Sequence, residues 1–253
     1  MAMHARKKED ATKEQFDEVP FDVVEESDEA LEMFQIQPLR DFIGTISPGD
    51  LTLDLGCGTG RTTVYLKRRG LRVVGLELSL GSLQTIRTRH TVPLVQGSNL
   101  ALPFDTESAD IVVSDGVIPY TDDPYLALAE TLRTLKSKGR AIVVVYKRSH
   151  YYYYIYSYVG GALRTIARLP LGAWLLDMTV LPLYHLARNM ARPGRKSSFQ
   201  KSRSLFYSYF MSPTIRFFTR KQVEDWAESL GARCMLYEPC PGWSAQAFVL
   251  EKS

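Results

Sequence analysis

Residues 51–61 read LTLDLGCGTGR, and this segment decides how the rest of the chain is interpreted. An apolar run that ends in a glycine predicts a buried strand, and residues 61–70 then predict a helix that ends at Gly70. The glycines between them, Gly56, Gly58 and Gly60, let the backbone approach a ligand closely and expose amide groups near the start of that helix. The segment therefore predicts a ligand site at a strand-to-helix turn.

Two acids give this predicted site a chemical preference. Asp54 stands two residues before the first glycine, where a carboxylate suits a positively charged ligand group, such as an α-amino group, better than a pyrophosphate. Position 61 holds arginine, so the glycine pattern also departs from the dinucleotide fingerprint. Glu77 ends the next predicted strand, where an acid can accept hydrogen bonds from both hydroxyls of a ribose, and Leu78 is placed to pack on a base. Together these residues favour a binding site over an ordinary turn.

Strand and helix patterns alternate along this part of the chain. The predicted strands are nearly continuous runs of Val, Ile and Leu, as expected when helices cover both faces of a sheet. Strands are predicted at 51–56, 72–78, 92–98, 109–116 and 140–147, and helices at 29–46, 61–70, 79–90 and 123–139. We therefore predict an α/β fold with an open, doubly wound and mostly parallel sheet.

The alternation stops after the fifth predicted strand and resumes at residue 219. Residues 219–231 predict an amphipathic helix, and the strand patterns at 232–239 and 245–252 are joined by a short connection, which predicts an antiparallel hairpin. We therefore divide the chain into a partly flexible polar leader, a sheet domain and a helical, basic, tyrosine-rich insertion. The leader covers 1–28, the sheet domain covers 29–147 plus 219–253, and the insertion covers 148–218.

Four segments carry a resemblance to a known family. They are LDLGCGTGR at 53–61, VVGLELS at 73–79, LPFDTESADIVVSDGVIPYTDDP at 102–124 and LKSKGRAIVVVY at 135–146. In these segments the chain resembles class I S-adenosylmethionine-dependent methyltransferases, in particular the group that includes the ubiquinone and menaquinone biosynthesis methyltransferases. The resemblance implies a Rossmann-like sheet of seven strands whose last strand is antiparallel, and it implies S-adenosylmethionine as the cofactor. It extends over roughly residues 30–147 and, more loosely, 219–253.

The resemblance also implies which residues bind the cofactor. Asp54 and the glycine-loop backbone would hold the methionine part, Glu77 would hold the ribose, and residues 114–116 would flank the methionine side. The third strand of this family usually ends in Gly-Asp, whose acid receives the adenine amino group. Here serine stands in that place, and we expect Ser98 or Asn99 to accept the hydrogen bond instead. The full predicted set is Asp54, Gly56, Cys57, Gly58, Gly60, Glu77, Leu78, Ser98, Asn99, Asp115 and Gly116.

The sequence does not assign a catalytic base. The candidates are His150 after the fifth strand, His185 in the insertion and Tyr120 in the loop after the fourth strand, where ligands of such sheets bind. The family often carries histidine where this chain has Pro119 and Tyr120. Methyl transfer depends largely on alignment of the acceptor, and a base is needed only when the acceptor must lose a proton. We interpret Cys57 as a small filler rather than a nucleophile.

Charge is unevenly distributed over the 253 residues. Residues 1–50 hold thirteen acids and five bases, whereas residues 148–218 hold ten Lys and Arg and one acid, Asp177. The three cysteines do not have the spacing of metal ligands, which predicts no metal site. The N-terminal residues do not resemble a secretory signal, so we expect reduced thiols in a cytosol-like compartment. The apolar residues 169–187 include Asp177 and two prolines, which favours a buried or interfacial segment over a spanning helix.

The insertion leaves several interpretations open. It can cap an acceptor pocket, lie peripherally on an anionic membrane, bind nucleic acid by stacking and phosphate contacts, or form a packed subdomain or dimer interface. Its residues 149–158 read SHYYYYIYSY, and helical spacing places three of these tyrosines on one face. These three are Tyr151, Tyr154 and Tyr158.

The sequence therefore predicts a cytoplasmic enzyme that moves a methyl group from S-adenosylmethionine to an oxygen or carbon atom. The expected acceptor is a small or medium, partly apolar molecule of the quinone, isoprenoid or secondary-metabolite type. Two alternatives stay open: a methyltransferase that acts on RNA or another nucleic acid, and a non-catalytic protein that binds the cofactor. The oligomeric state is not assigned.

Overall fold

The computed structural model describes residues 11–19, 36–190, 197–240 and 244–253. These residues form one mixed sheet with helices packed on both of its faces. The strands are β1 (Leu51–Leu55), β2 (Arg72–Glu77), β3 (Leu94–Gln96), β4 (Ala109–Asp115), β5 (Leu135–Lys147), β6 (Phe217–Phe218), β7 (Ala232–Pro239) and β8 (Ala245–Lys252).

The strand order is β3-β2-β1-β4-β5-β8-β7, with the two-residue β6 beside the end of β5. The strands β1 to β5 pair in parallel, and β8 runs antiparallel to both of its neighbours. The predicted doubly wound sheet with an antiparallel last strand is confirmed. The winding reverses between β1 and β4, so the carboxyl ends of these strands open a crevice of the kind in which such folds bind ligands.

The helices flank this sheet and fill the insertion. They are α1 (residues 11–18), α2 (Gln37–Ile43), α3 (Arg61–Arg68), α4 (Leu80–Arg87), α5 (Pro124–Thr134), α6 (Tyr151–Tyr154), α7 (Gly161–Ala167), α8 (Gly172–Met190), α9 (Phe199–Phe206) and α10 (Arg220–Ser229). Residues Ile155–Gly160 and Tyr207–Met211 continue α6 and α9 as π-helical turns, and Ile118–Tyr120 forms a 3-10 turn. In the described part of the chain, no helix has both the length and the apolarity that crossing a membrane requires.

Successive residues of the central strands face two different hydrophobic layers. Ile111 and Val113 of β4 pack in the layer that contains α2, α3 and α4, whereas Val112 packs on the opposite face with α5 and α10. Side chains alternate between the two faces of a strand. A strand covered on both faces therefore needs apolar residues at every position, which explains the continuous apolar runs in the sequence.

The helix predicted at 123–139 is shorter in the structure. It ends at Thr134, and the segment LKSKG that follows belongs to β5. Leu135 is completely buried and pairs with Ala109 of β4, and Lys138 takes a left-handed conformation with φ of 64°. Burial of Leu135 in the sheet thus outweighs the helix preference of a lysine-rich segment, and the predicted helix end was wrong by five residues.

The N-terminal residues contribute more structure than the sequence indicates. Within the expected leader, residues 11–18 form α1 and Val19 is buried, while residues 1–10 and 20–28 lie outside the described ranges. The helix predicted at 29–46 is described from Ile36 onward. Its helical part is α2, with Pro38 in the first turn. Backbone N–H groups in a first turn have no acceptor within the helix, so proline, which lacks the N–H, costs no hydrogen bond there.

The insertion is helical up to β6 and is held to the sheet by tyrosines. Tyr152 and Tyr156 are buried in a cluster with Ile215. The hydroxyl of Tyr156 accepts the backbone N–H of Ile215 at 3.0 Å and donates to the carbonyl of Ser212 at 3.1 Å, which fixes the returning chain. The opposite side of this segment is exposed, as the helical spacing predicts. It carries Tyr151, Tyr154 and Tyr158.

Truncation of Leu250 in β8 tests the packing of the sheet. Leu250 is completely buried, so Leu250→Ala is expected to lower the free energy of unfolding by about 2–5 kcal/mol through the cavity it leaves. Leu236 in β7 is 46% exposed, and Leu236→Ala removes the same atoms at an expected cost of about 0.5 kcal/mol. Urea unfolding followed by circular dichroism measures both. Similar losses for the two variants would contradict the position of β8 inside the sheet.

Candidate functional site

A cavity opens at the carboxyl ends of β1, β2 and β4. The loop between β1 and α3 forms one of its walls. Gly56 in this loop has φ of 68°, and a Cβ atom there would lie 2.4 Å from the Val117 side chain, so both the backbone and the available space require glycine. This close approach brings the loop against the residues that follow β4.

The carboxylate of Glu77 holds the glycine loop from the end of β2. Its Oε2 accepts the backbone N–H of Gly58 and its Oε1 accepts that of Ser79, each at 2.9 Å. Burial raises the pKa of Glu77, and these backbone hydrogen bonds oppose the rise. A carboxylate oxygen can accept more than one hydrogen bond. The ribose contact expected from the sequence is therefore compatible with this geometry and stays a prediction.

Asp54 lies beneath the loop and is 2% exposed. The hydroxyl of Thr63 donates to its Oδ2 at 2.5 Å. Burial raises the pKa of Asp54 to about 7; the Thr63 hydrogen bond and the Arg61 charge oppose the rise, and the charge of Asp115 adds to it. A cation bound in the cavity would lower this pKa again, because an opposite charge favours the ionised carboxylate.

An ion pair between Arg61 and Asp115 joins the two sides of the crevice. Arg61 begins α3 and Asp115 ends β4, and their side chains are 21% and 17% exposed. In the sequence, Arg61 marked only a departure from the dinucleotide fingerprint. In the structure its guanidinium compensates the carboxylates of Asp115 and Asp54, which would otherwise repel each other across the cavity.

The β3 side of the cavity presents a hydrogen-bond acceptor. The Oδ1 atom of Asn99 is buried and accepts no hydrogen bond from the described residues. The neighbouring Ser98 accepts the backbone N–H of Leu100 on its hydroxyl at 3.0 Å and so stabilises the turn. A buried acceptor without a partner costs about 1–3 kcal/mol, which a ligand amino group would recover. Of the two residues expected to meet adenine, Asn99 has the freer side-chain oxygen.

These residues fit S-adenosylmethionine, the cofactor that the resemblance implies. Asp54, Glu77 and Asn99 lie on or just after three neighbouring strands, β1, β2 and β3, in that order. The cofactor carries its ammonium group, its ribose and its adenine amino group in the same order along its length. In this arrangement Asp54 can pair with the ammonium group of the cofactor, Glu77 can accept hydrogen bonds from its ribose hydroxyls, and Asn99 can accept one from its adenine amino group.

Aromatic side chains line a second part of the cavity. Tyr120, Tyr146 and Tyr209 contribute to its wall, together with Phe16 of α1. The hydroxyls of Tyr120 and Tyr146 lie 3.1 Å apart, and the rings of Phe16 and Tyr120 meet edge to face at 5.7 Å. Burial raises the pKa of both Tyr120 and Tyr146 well above the usual 10.0, so their hydroxyls stay neutral in the physiological range.

Helix α1 crosses the cavity and is fixed at two points. Asp17 accepts the hydroxyl of Ser79 at 2.7 Å and the backbone N–H of Gly81 at 3.1 Å, both on its Oδ1. Gln15 donates to the carbonyl of Tyr207 in the insertion at 3.2 Å. The helix thereby connects the start of α4 with the insertion. It contributes Thr12, Lys13 and Phe16 to the cavity wall.

Ten of the eleven predicted cofactor residues line the cavity. Gly60 is the one that does not; with φ of 96° it makes the turn into α3 and faces Ile86. Cys57 lines the wall, but burial raises its pKa, as expected of a filler rather than a nucleophile. Among the three candidate bases, Tyr120 alone belongs to the wall.

The two candidate histidines have structural partners elsewhere. His150 caps α6 by accepting the backbone N–H of Tyr152 on Nδ1 at 3.2 Å, and burial with the nearby Lys147 charge lowers its pKa. His185 in α8 shares a 2.8 Å hydrogen bond with the Ser202 hydroxyl. Neither histidine belongs to the cavity wall.

Sequence reasoning missed the residues that complete the cavity from distant parts of the chain. Phe16 lies in a charged leader, and Tyr209 lies more than sixty residues beyond the fifth strand, where no cofactor motif extends. Tyr146 ends a strand that reads only as buried core. One signal was present: the insertion is rich in aromatic residues, and it starts at the sheet edge that should bind the ligand.

Comparisons with known proteins agree with this geometry. A family described as methyltransferase domain matches residues 53–143, a range that contains every predicted cofactor residue. The demethylmenaquinone methyltransferase of Renibacterium salmoninarum is 34% identical over 144 residues, which are 54% of this chain and 59% of that protein. The chain therefore spans less than two thirds of this curated relative. Helix α1 and the insertion lie outside the matched domain.

Solved structures share the fold over nearly the whole chain. A protein in complex with the Haloferax volcanii Trm112 methyltransferase activator superposes with a TM-score of 0.59 at 15% identity, covering 98% of this chain and 96% of that chain. The magnesium protoporphyrin IX methyltransferase of Synechocystis PCC 6803, solved with bound SAH, gives a TM-score of 0.58 at 10% identity and covers 100% and 99%. At these identities the likeness shows the fold alone.

Replacement of Asp54 by asparagine is expected to stabilise the cofactor-free protein at pH 8. Folding raises the pKa of Asp54 from 3.8 to about 7, so the folded state holds its proton more tightly than the unfolded state does. The bound proton therefore contributes its whole stabilisation of the folded state below pH 3.8, and this contribution is lost as the pH rises through about 7. Each pKa unit corresponds to about 1.4 kcal/mol, so the gain of Asp54→Asn at pH 8 is at most about 4 kcal/mol.

Urea unfolding at pH 5 and pH 8 measures this effect. Asp54→Asn should gain stability relative to the wild type between the two pH values. Calorimetry should show at least about tenfold weaker binding of S-adenosylmethionine by Asp54→Asn, because the ligand cation loses its counter-charge. A relative stability that does not change with pH would contradict the buried acid.

Asn99 is tested with a ligand that lacks one group. Asn99→Ala is expected to weaken S-adenosylhomocysteine binding about tenfold, because the adenine amino group loses its acceptor. An analogue with hydrogen in place of that amino group should bind the wild type and the variant equally. Ser98→Ala serves as the control and should weaken both ligands to the same extent, since Ser98 supports the turn. Equal losses for both ligands in Asn99→Ala would exclude the contact.

Proposed function

Since the chain belongs to the class I S-adenosylmethionine-dependent methyltransferases, we propose that it transfers the cofactor's methyl group to an oxygen or carbon atom of a small or medium, partly apolar acceptor. Quinones, isoprenoids and related secondary metabolites are acceptors of this type. The matched methyltransferase domain and the relatives named demethylmenaquinone methyltransferase support the proposal. Because the chain spans less than two thirds of those relatives, we argue the acceptor from the cavity.

One observation carries the proposal: the two parts of the cavity differ in chemistry. The cofactor part offers carboxylates, backbone amides and the Asn99 acceptor. The other part offers the rings of Phe16, Tyr120, Tyr146 and Tyr209, with phenol hydroxyls at their edges. A planar, apolar molecule packs well against such rings, and its oxygen atoms can hydrogen-bond to the phenols.

The proposed roles of the chain are binding, orientation and exclusion of water. S-adenosylmethionine, when bound, supplies a methyl group on a sulfonium centre that is already a good leaving group. Asp54 pairs with the ammonium group, Glu77 accepts the ribose hydroxyls and Asn99 accepts the adenine amino group. Three contacts to three separate groups fix the orientation of the ligand. Such positioning can supply much of the rate increase in a displacement reaction.

Tyr120 and Tyr146 act in this proposal as neutral hydrogen-bonding groups. Their raised pKa values exclude them as proton acceptors near neutral pH. Their hydroxyls can still orient an acceptor oxygen, because each can donate one hydrogen bond and accept another. The proposal therefore favours acceptors that ionise readily without a protein base, such as acidic phenols, quinols and activated carbon atoms.

Helix α1 and the insertion close the aromatic part of the cavity. Phe16 and Tyr209 come from distant parts of the chain and line the same cavity, and the hydrogen bond from Gln15 to Tyr207 joins their segments. Closure of this kind excludes water from the reacting groups and strengthens the electrostatic contacts inside.

The basic insertion favours one alternative acceptor, RNA. Ten bases against one acid in residues 148–218 would suit a phosphate backbone, and tyrosines stack on bases. A gel-shift experiment at low and high salt distinguishes this alternative. Salt-sensitive RNA binding together with methyl transfer to RNA would replace our proposal. Cofactor binding with no methyl transfer to any acceptor would instead identify a non-catalytic protein.

Tyr209 provides the test of the acceptor site. A screen of quinols, phenols and isoprenoid alcohols with methyl-labelled S-adenosylmethionine identifies a working acceptor. With that acceptor, Tyr209→Ala is expected to raise KM at least tenfold, because a ring is lost from the cavity wall. Its affinity for S-adenosylmethionine should stay within a factor of about two, since the cofactor contacts lie elsewhere.

The control is Tyr158→Ala, which removes a 74% exposed ring from the same insertion and should leave KM unchanged. Tyr209→Phe keeps the ring and should restore most of the loss. Cofactor affinity reports whether each variant is folded. A Tyr209→Ala variant with an unchanged KM would contradict an acceptor site between the aromatic rings.

A further inference from the structure

Helix α8 is apolar on its exposed side, where an ordinary surface helix carries charged residues. Its exposed positions carry no charged residue. They are Ala173, Trp174, Leu175, Met178, Thr179, Pro182, Leu183, Leu186, Ala187 and Met190. The large side chains among them are strongly exposed; Leu183 is 66% and Met190 is 72% accessible. A solvated helix normally places charged residues on this side.

The charged residues of α8 face the protein instead. Asp177 accepts the hydroxyl of Tyr207 at 2.8 Å and pairs with Arg203 at 3.6 Å. Arg188 donates to the Ser197 hydroxyl at 3.2 Å, and His185 bonds to Ser202. The polar residues of the helix are thus used to hold α9 and the chain before it. Leu176 and Leu181 are buried on the protein side, and most of the other large apolar side chains of the helix are left exposed.

In the part of the chain that the structure describes, the insertion carries most of the exposed large hydrophobic side chains. In the described residues, thirteen of the eighteen exposed large hydrophobic side chains lie between Tyr151 and Phe199. Leu169 and Leu171, which precede α8, are 59% and 78% exposed. We define the docking face as Leu169, Leu171, Trp174, Leu175, Met178, Leu183, Leu186 and Met190. A contiguous apolar surface of this kind marks an interaction site.

We propose that the docking face binds the surface of an anionic lipid bilayer. Charge is the first argument for this partner: residues 148–218 hold ten bases and one acid, and that acid, Asp177, is already paired within the insertion. An uncharged face within a strongly basic segment complements a surface that combines acyl chains with anionic headgroups. A protein partner would need acidic residues around an apolar patch to match it.

The kinds of side chain on the insertion give the second argument. Trp174 is 60% exposed, and Tyr151, Tyr154 and Tyr158 are exposed on the same insertion. Tryptophan and tyrosine are the residues enriched at the boundary between lipid and water. In the described part of the chain, α8 does not have the properties of a spanning helix, so it would lie in the plane of the interface.

The docking face also deepens the proposed function, on which this part of the inference rests. The insertion that carries the face also supplies Tyr209 to the cavity wall. An apolar acceptor dissolved in a bilayer would then meet the enzyme at the element that closes the aromatic part of the cavity. Docking would raise the local concentration of such an acceptor without any new contact to it.

Cosedimentation with vesicles tests the proposal on the full chain. Vesicles of equal parts phosphatidylglycerol and phosphatidylcholine are compared with vesicles of phosphatidylcholine alone. The wild type is expected to bind the anionic vesicles at least tenfold more tightly. Binding should weaken as salt is raised from about 0.1 M to about 0.5 M, because the screening length then falls from about 10 Å to roughly half that value. The Trp174 emission should shift to shorter wavelength on binding, and Trp174→Phe should remove the shift.

The variant Leu183→Glu with Leu186→Glu places two charges on the docking face and should weaken vesicle binding at least tenfold. The control Leu126→Glu with Leu236→Glu, at sites that are 41% and 46% exposed on α5 and β7, adds the same two charges outside the face and should bind as the wild type does. Both should keep wild-type affinity for S-adenosylmethionine, which shows that they are folded. Binding that is absent in the wild type, or unchanged in the double variant, would overturn the proposal.

Analytical ultracentrifugation distinguishes a second copy of the chain as the partner. A dimer that the double variant abolishes, without vesicle binding by the wild type, would assign the face to self-association and overturn the proposal. Methyl transfer to a water-soluble acceptor without vesicles is measured separately. The double variant should keep this activity; a wild type that binds vesicles but transfers no methyl group would support docking and contradict the proposed function.

Discussion

The carboxylate of Glu77 is the constraint on which the cavity depends. It accepts one backbone N–H from the glycine loop and one from the start of α4, and so fixes two connections with a single side chain. The loop conformation requires glycine at position 56, because any side chain would collide with Val117. Ser79 in turn anchors Asp17 of α1. One buried carboxylate thus positions the loop, the start of α4 and, through Ser79, the helix that closes the site.

The same region shows how a binding site opposes stability. Asp54 is buried with Thr63 as its hydrogen-bond donor, and burial raises its pKa to about 7. Asn99 keeps a buried acceptor without a partner among the described residues. Each of these groups makes the cofactor-free state less stable than an apolar replacement would, and each is suited to one polar group of the ligand. A ligand that satisfies these buried polar groups therefore stabilises the folded protein when it binds.

The insertion has two sides that differ in what they present. Its inner side buries Tyr152 and Tyr156 and sends Tyr209 into the cavity. Its outer side exposes apolar residues along α8, because Asp177 and Arg188 are turned inward to hold α9 and the residues before it. The tyrosine-rich segment in the sequence belongs to both sides. Opposite faces of one helix place some of its rings in the core and the others in solvent.

The sequence by itself determined the sheet, its mostly parallel topology and the residues that line one side of the cavity. These are local features: strand runs, a glycine loop, and acids at the ends of consecutive parallel strands, which the fold must bring to one edge. Only the tertiary structure decided the other half of the site. Phe16, Tyr146 and Tyr209 meet through packing between distant segments, and no spacing in the chain encodes that contact. The end of α5 was likewise decided by tertiary structure, because burial of Leu135 in the sheet outweighs local helix preference.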